Sequence, residues 1–163
     1  MKVIFLDVDG VLNCEHTRQR IPGESFTGIE DNKVDLLSRI ALGCGAEVVL
    51  SSDWKYGWEP IDKDKNDKHA DYLDMKLAQY NVAILDKTPD CKNRFRRGEE
   101  IHLWLEEHDE VTGFVILDDE RFPDFKDYKL GPHFVQTSWV NGLQKNHVRR
   151  AQKILGGELN SDE

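Results

Sequence analysis

The chain has few cysteines, no long apolar run and no excess of positive charge, and each shortage closes off a class of protein. Its three cysteines, Cys14, Cys44 and Cys91, are odd in number and lack Cys-x-x-Cys spacing. Neither a disulfide framework nor a metal finger is indicated, and the thiols read as reduced in a cytoplasmic protein. The six histidines are scattered without the spacing of a zinc site, and His69, His102, His108 and His147 are expected on helix surfaces. No stretch is long enough to span a bilayer, and Asp7 and Asp9 interrupt the apolar start well short of a secretory signal, so no membrane contact is expected. With 31 acidic residues against 22 basic ones the formal net charge is −9, so a nucleic acid would have to be met by a local basic patch. There is no internal repeat and no low-complexity segment. The 163 residues suit one domain, expected over residues 1–155, with a flexible tail at 156–163.

What is present is an alternation of strand-like and helix-like segments, the pattern of an α/β fold with a mostly parallel central sheet in a Rossmann-like three-layer sandwich. Lys2–Leu6 reads as the first strand. Asp31 and Asn32 offer caps for a helix carrying Val34, Leu36, Leu37, Ile40 and Ala41, which Gly43 and Gly45 end. Ala46–Leu50 reads as the second strand, residues 69–80 as a helix, 82–85 as a third strand and 86–93 as a loop. Ile101, Leu103, Trp104 and Leu105 mark another helix, residues 113–117 a fourth strand, 133–136 an edge strand and 142–155 a closing helix. The charged run Asp62, Lys63, Asp64, Lys65, Asp67, Lys68 lies in residues 56–68, read as a solvated loop or, functionally, a flap over an adjacent site.

The chemistry gathers where strong strands end. The first strand runs into Asp7-Val8-Asp9-Gly10, the second into Ser51-Ser52-Asp53-Trp54-Lys55 and the fourth into Asp118-Asp119-Glu120. Two acids at the tip of a buried strand are costly unless they face a cation or a ligand, although Asp and Gly are also common in solvated turns. In an open parallel sheet the carboxyl ends share one edge, so these groups should converge on one crevice. Lys92, Arg94, Arg96 and Arg97 precede the helix that leads to the fourth strand and start at the same edge. Carboxylates, hydroxyls and a cation in one crevice suit phosphoryl transfer with Mg²⁺.

In their order, Asp7-Val8-Asp9-Gly10-Val11-Leu12-Asn13, Ser51, a downstream basic residue and Asp118-Asp119 resemble the four motifs of the haloacid dehalogenase (HAD) superfamily of phosphohydrolases. A closer likeness is to the small HAD domains associated with RNA-repair proteins. It is carried by Val49-Leu50-Ser51-Ser52-Asp53-Trp54-Lys55, by Arg97-Gly98-Glu99-Glu100-Ile101 with Trp104-Leu105, and by residues 137–143.

The resemblance implies that Asp7 is the nucleophile forming an aspartyl-phosphate and that Asp9 is the acid and base. It implies Mg²⁺ held by Asp7, the backbone carbonyl of Asp9 and Asp118, with Asp119 in support. Ser51 matches the phosphate-binding hydroxyl, and Ser52 is its neighbour or a turn residue. Arg97 matches the phosphate-binding cation, with Arg94 and Arg96 near enough to replace it and Lys92 a poorer candidate. Gly10 fits because a Cβ would obstruct the turn past the acids. Cys14 reads as incidental.

Residues 14–30 and the insertion after the second strand make only a minimal cap, and an open crevice admits bulky phosphate esters. The expected activity is a Mg²⁺-dependent phosphomonoesterase acting on nucleic-acid ends or nucleotides. The alternatives are a small-metabolite phosphatase and a non-catalytic phosphate- or metal-binding module. Lys145, His147, Arg149 and Arg150 form either a basic patch or a solvated helix face. Trp54, Trp58, Trp104 and Trp139 are too dispersed to mark a base-stacking platform, but Trp54 follows the serines closely enough to line the substrate entrance.

Overall fold

The computed structural model describes residues 1–93 and 95–161. Five strands, β1 Lys2–Leu6, β2 Ala46–Leu50, β3 Ile84–Lys87, β4 Gly113–Asp118 and β5 Phe134–Gln136, alternate with four helices, α1 Asp31–Cys44, α2 Lys68–Ala78, α3 Arg97–Glu106 and α4 Lys145–Leu155. Every pairing is parallel, in the order β3-β2-β1-β4-β5. The architecture is therefore an α/β, Rossmann-like open sheet.

β1 occupies the centre because both of its faces are apolar. Its period-2 alternation sends Ile4 and Leu6 into the core shared with α1, α2 and α4, and Val3 and Phe5 into the core shared with Ile101 and Trp104 of α3. Phe5 meets Trp104 edge-on, with ring centroids 5.5 Å apart. The chain builds outward from β1 to β3, then crosses back through α3 to add β4 on the other side. The reversal opens a crevice at the carboxyl ends of β1 and β4, where such folds bind ligands.

Several boundaries depart from the sequence pattern for local reasons. Asp31 and Asn32 lie inside the first turn of α1 rather than capping it, because Glu30 takes the N-cap position; Gly43 remains helical and Gly45 ends the helix. β3 begins two residues later than expected. Val82 is used to close α2, its amide donating to the Leu77 carbonyl at 3.1 Å. The strand instead includes Asp86, which accepts from Trp104 Nε1 at 2.8 Å, and Lys87, which donates to the Lys55 and Trp58 carbonyls. Paired charges inside a strand are invisible to hydropathy. α4 starts at Lys145 because Gln144 and His147 form a reciprocal capping pair.

Residues 56–68 are more anchored than a solvated loop, since Trp58 is fully buried, donates to Asp74 at 2.8 Å and carries Lys63 Nζ 3.8 Å above its ring. Near the end of the chain, Asn160 donates from its side chain to the Phe134 carbonyl at 2.8 Å and from its amide to the Pro132 carbonyl. No helix among the described residues is long and apolar enough to cross a membrane.

Candidate active site

The parallel ladder continues one residue beyond the strands. The Asp7 amide donates to the Leu117 carbonyl, the Ser51 amide to the Leu6 carbonyl and the Thr137 amide to the Asp118 carbonyl, all at 2.9–3.0 Å. This continuation puts the residues after β1 and β2 and the last residue of β4 on one rim. Asp7, Asp9, Ser52, Arg97, Asp118 and Asp119 line a cleft of about 180 Å³ there. One carboxylate oxygen from each of Asp7, Asp118 and Asp119 lies within 4.8 Å of the others. Asp7 and Asp118 are buried and Asp119 is partly so.

Arg97 faces this trio. Its Nη1 donates to Asp118 Oδ2 at 2.6 Å and lies 3.2 Å from Asp7 Oδ1, its Nη2 lies 3.5 Å from Asp53, and its guanidinium sits 4.5 Å from the centre of the Phe122 ring. Arg97 opens α3, and Asp124 fixes that helix end by accepting from the Gly98 and Glu99 amides at 3.0 and 2.8 Å. A Cβ at position 98 would collide with the Asp124 carboxylate, so glycine is what allows the cap to approach. One turn on, buried Glu100 accepts from Lys55 Nζ at 2.6 Å and from the Cys91 amide at 3.1 Å, which ties α3 to the segments after β2 and β3.

Burial raises the Asp7 carboxyl well above the usual range, the Asp118 charge adds to the rise, and Arg97 opposes it. Asp118 is pushed up to about 6, again by burial and against the pull of Arg97. Burial also raises Asp119. Burial disfavours the charge on Arg97, yet the neighbouring Asp7 and Asp118 outweigh it and the net shift is upward.

Asp9 belongs to the cleft but not to the carboxylate trio. It is exposed, and each of its oxygens accepts one bond, Oδ1 from Asn13 Nδ2 at 2.9 Å and Oδ2 from Trp54 Nε1 at 3.1 Å. Asn13 is fully buried and also holds the Gly10 amide and the Gly28 carbonyl. Gly10 itself has φ +81°, and a Cβ there would strike the Asp119 carboxylate, so both backbone and space require glycine. Thr137 Oγ1 donates to the Gly10 carbonyl at 2.6 Å.

The two serines are placed differently. Ser52 lines the cleft while its hydroxyl accepts from the Trp54 amide; Ser51 is buried, and its Oγ lacks a hydrogen-bond partner among the described residues. Of the candidate cations, Arg97 is at the carboxylates, Arg96 is paired with Glu99 and donates to the Tyr128 hydroxyl, and Lys92 lines a neighbouring recess with Asp90 and Phe95. Arg94 lies outside the described residues. In the α4 patch, Arg150 is tied to Asn160 and His147 to the helix cap.

A second recess, of about 290 Å³, shares Asp9 with the cleft and is lined by Ile21, Phe26, Thr27, Trp54, His69 and Trp139. Trp54 and Trp139, too dispersed in sequence to mark a platform, meet here. Sequence reasoning also missed Asn13, Asp124 and the Lys55–Glu100 pair as supports. The local signal was thin: Asn13 closes the first motif and Lys55 the second, whereas Asp124 lies in no motif.

A family model described as the HAD domain in Swiss Army Knife RNA repair proteins matches residues 3–148. No curated protein and no solved structure gives a match.

Proposed function

This chain belongs to the HAD domains of Swiss Army Knife RNA repair proteins, and from that premise we propose that it is a Mg²⁺-dependent phosphomonoesterase working through an aspartyl-phosphate, acting on nucleic-acid ends or nucleotides. The observation that carries the reading is the gathering of Asp7, Asp118 and Asp119 within 4.8 Å, faced by Arg97. Three carboxylates against one guanidinium leave an excess of negative charge in a largely buried place, which a divalent cation with oxygen ligands relieves. Ser51 Oγ, buried and without a hydrogen-bond partner among the described residues, is a further group in want of a ligand.

Asp7, Asp118 and Asp119, with the Asp9 backbone carbonyl, would hold Mg²⁺, which supplies positive charge to offset the carboxylates and the phosphate oxygens. Asp7 attacks phosphorus, and the bond from phosphorus to the leaving oxygen breaks as Asp9 gives that oxygen a proton. Asp9 then takes a proton from a water molecule that attacks the phosphorus, releasing inorganic phosphate and restoring Asp7. Arg97 holds the phosphoryl group and stays charged throughout, because Asp7 and Asp118 stabilise its cation. Asn13 and Trp54 hold the Asp9 carboxylate at the edge of the cleft, where a leaving group would depart. Ser51 and Ser52 supply hydroxyls to the phosphoryl group.

Phosphate release from a generic aryl phosphate tests the reading. Activity should require Mg²⁺, vanish on chelation and fall at least about 1,000-fold in Asp7→Asn, as expected for loss of a nucleophile. Full activity in that variant, or none in any Mg²⁺ condition with aryl phosphates, nucleotides and phosphorylated oligonucleotides, would sink it. A substrate bound as a polymer should also lose affinity steeply as salt rises.

A further inference from the structure

Resting on that phosphomonoesterase reading, we propose that the recess beside Asp9 receives a nucleobase, so that the substrate's leaving group is a nucleoside, free or at the end of a chain. The cleft at Asp7 and the recess at Trp54 meet at Asp9, which lines both. The leaving oxygen is bonded to phosphorus on one side and to the leaving group on the other. With phosphorus over Asp7 and the oxygen at Asp9, the leaving group projects into the recess.

The lining decides what that group is. Trp54, Trp139, Phe26 and Ile21 present apolar and aromatic surface, and no lysine or arginine is among the described residues that line the recess. A sugar or an acidic metabolite entering there would exchange its hydrogen bonds to water for the few polar groups that Asp9, Thr27 and His69 offer, of which His69 is already held by Glu24, whereas a flat base gains stacking. The volume of about 290 Å³ sits at the lower edge of the roughly 300–1,000 Å³ that encloses drug-sized ligands, enough for one ring system.

Three of the rings, Trp54, His69 and Phe26, also form a connected set left open on the solvent side. His69 lies 5.8 Å from Trp54 and 5.9 Å from Phe26, and it is held by Glu24 at 2.8 Å. Trp139 is 42% and Phe26 62% exposed, so both rings remain reachable from solvent at the mouth of the recess. The Trp54 indole is fixed by its bond to Asp9, so a base stacked on it is placed relative to the acid that serves the leaving oxygen.

Equilibrium binding to the 163-residue chain carrying Asp7→Asn, with Mg²⁺, tests this without turnover, using nucleoside 5′- and 3′-monophosphates against ribose phosphates. The nucleotides should bind more tightly by roughly 5- to 150-fold, the fold-change that stacking one base supplies. Trp139→Ala and Phe26→Ala, both at partly exposed positions, should each shrink that preference while leaving ribose phosphate binding within about twofold. Equal binding of nucleotide and ribose phosphate, or a preference unchanged in both variants, would overturn the base recess. Adding oligonucleotides with terminal phosphates assigns the source: tighter binding than mononucleotides points to chain ends, weaker binding to free nucleotides, and either result keeps a base in the recess. Loss of all Mg²⁺-dependent hydrolysis would remove the phosphatase reading, whereas a missing base preference in an active enzyme removes only this inference.

Discussion

Two buried charge constellations stand on either side of the first turn of α3, and they are built to opposite ends. Lys55 and Glu100 are closed: the ammonium donates to Thr88 Oγ1, the Pro89 carbonyl and Glu100, while the second Glu100 oxygen accepts from the Cys91 amide. Charges cancel and polar atoms are satisfied. At Asp7, Asp118 and Asp119, three carboxylates face Arg97, and their pKa values are driven up by burial. The first arrangement holds the molecule together; the second gathers like charges whose repulsion a cation would relieve. Burial of charge is thus no sign of function by itself, and the imbalance is the informative part.

The comparison breaks most visibly at the closed pair. Glu100→Ala strands a buried ammonium and should cost about 3–5 kcal/mol in urea unfolding, with the Mg²⁺-dependent stabilisation unchanged. A loss below 1 kcal/mol would mean that the pair is not structural.

The open site should respond to metal instead. At 100 times its Kd, Mg²⁺ should add about 2.7 kcal/mol of stability, read as a rise in melting temperature. Without metal, carboxyls whose folded pKa is raised contribute stability that is fully present below the usual value near 4. That contribution is lost as pH climbs through about 6 for Asp118. The Mg²⁺ increment should therefore be small at pH 5 and full at pH 7.5, and absent in Asp118→Asn. Equal increments at both pH values would refute the assignment.

Between the two lies the cap that both share. Asp124→Ala removes the acceptor at the start of α3 and should cost about 1 kcal/mol, within the roughly 0.5–2 kcal/mol range of helix caps. Because Arg97 opens that helix, kcat should fall as well, an effect that simple destabilisation far below the melting temperature would not produce.

The smallest effect concerns two histidines outside both constellations. Burial lowers the pKa of His133, and burial together with the Lys33 charge lowers that of His147. Their contribution is fully present above the unfolded value near 6.5 and is lost as pH falls from there through the depressed folded values. Replacing both with Gln should flatten the stability profile below pH 6.5, as denaturant titrations at several pH values would show.

Much of the fold was legible because burial on both faces makes parallel strands apolar runs, and β1 and β2 have the expected bounds. β3 was displaced because Asp86 and Lys87 find partners on α3 and near Trp58, which no local pattern announces. Within the candidate site, the acids and Arg97 stood out as strand tips and a helix start. Among the cations near α3, spacing alone left Arg96 open, and it turned out to face Glu99.

By itself the sequence determined the order of elements and the placing of acids at strand ends, since hydropathy period and turn chemistry act over a few residues. Only the tertiary structure decided that Asn13 and Trp54 grip Asp9, that Asp124 caps α3, and that Phe26, Trp54, His69 and Trp139 share a recess. Except for Asn13, which is four residues from Asp9 but is itself fixed through the Gly28 carbonyl, these partners are far apart along the chain, and the sheet order that brings them together is set by how both faces of β1 are covered, a property of the whole molecule.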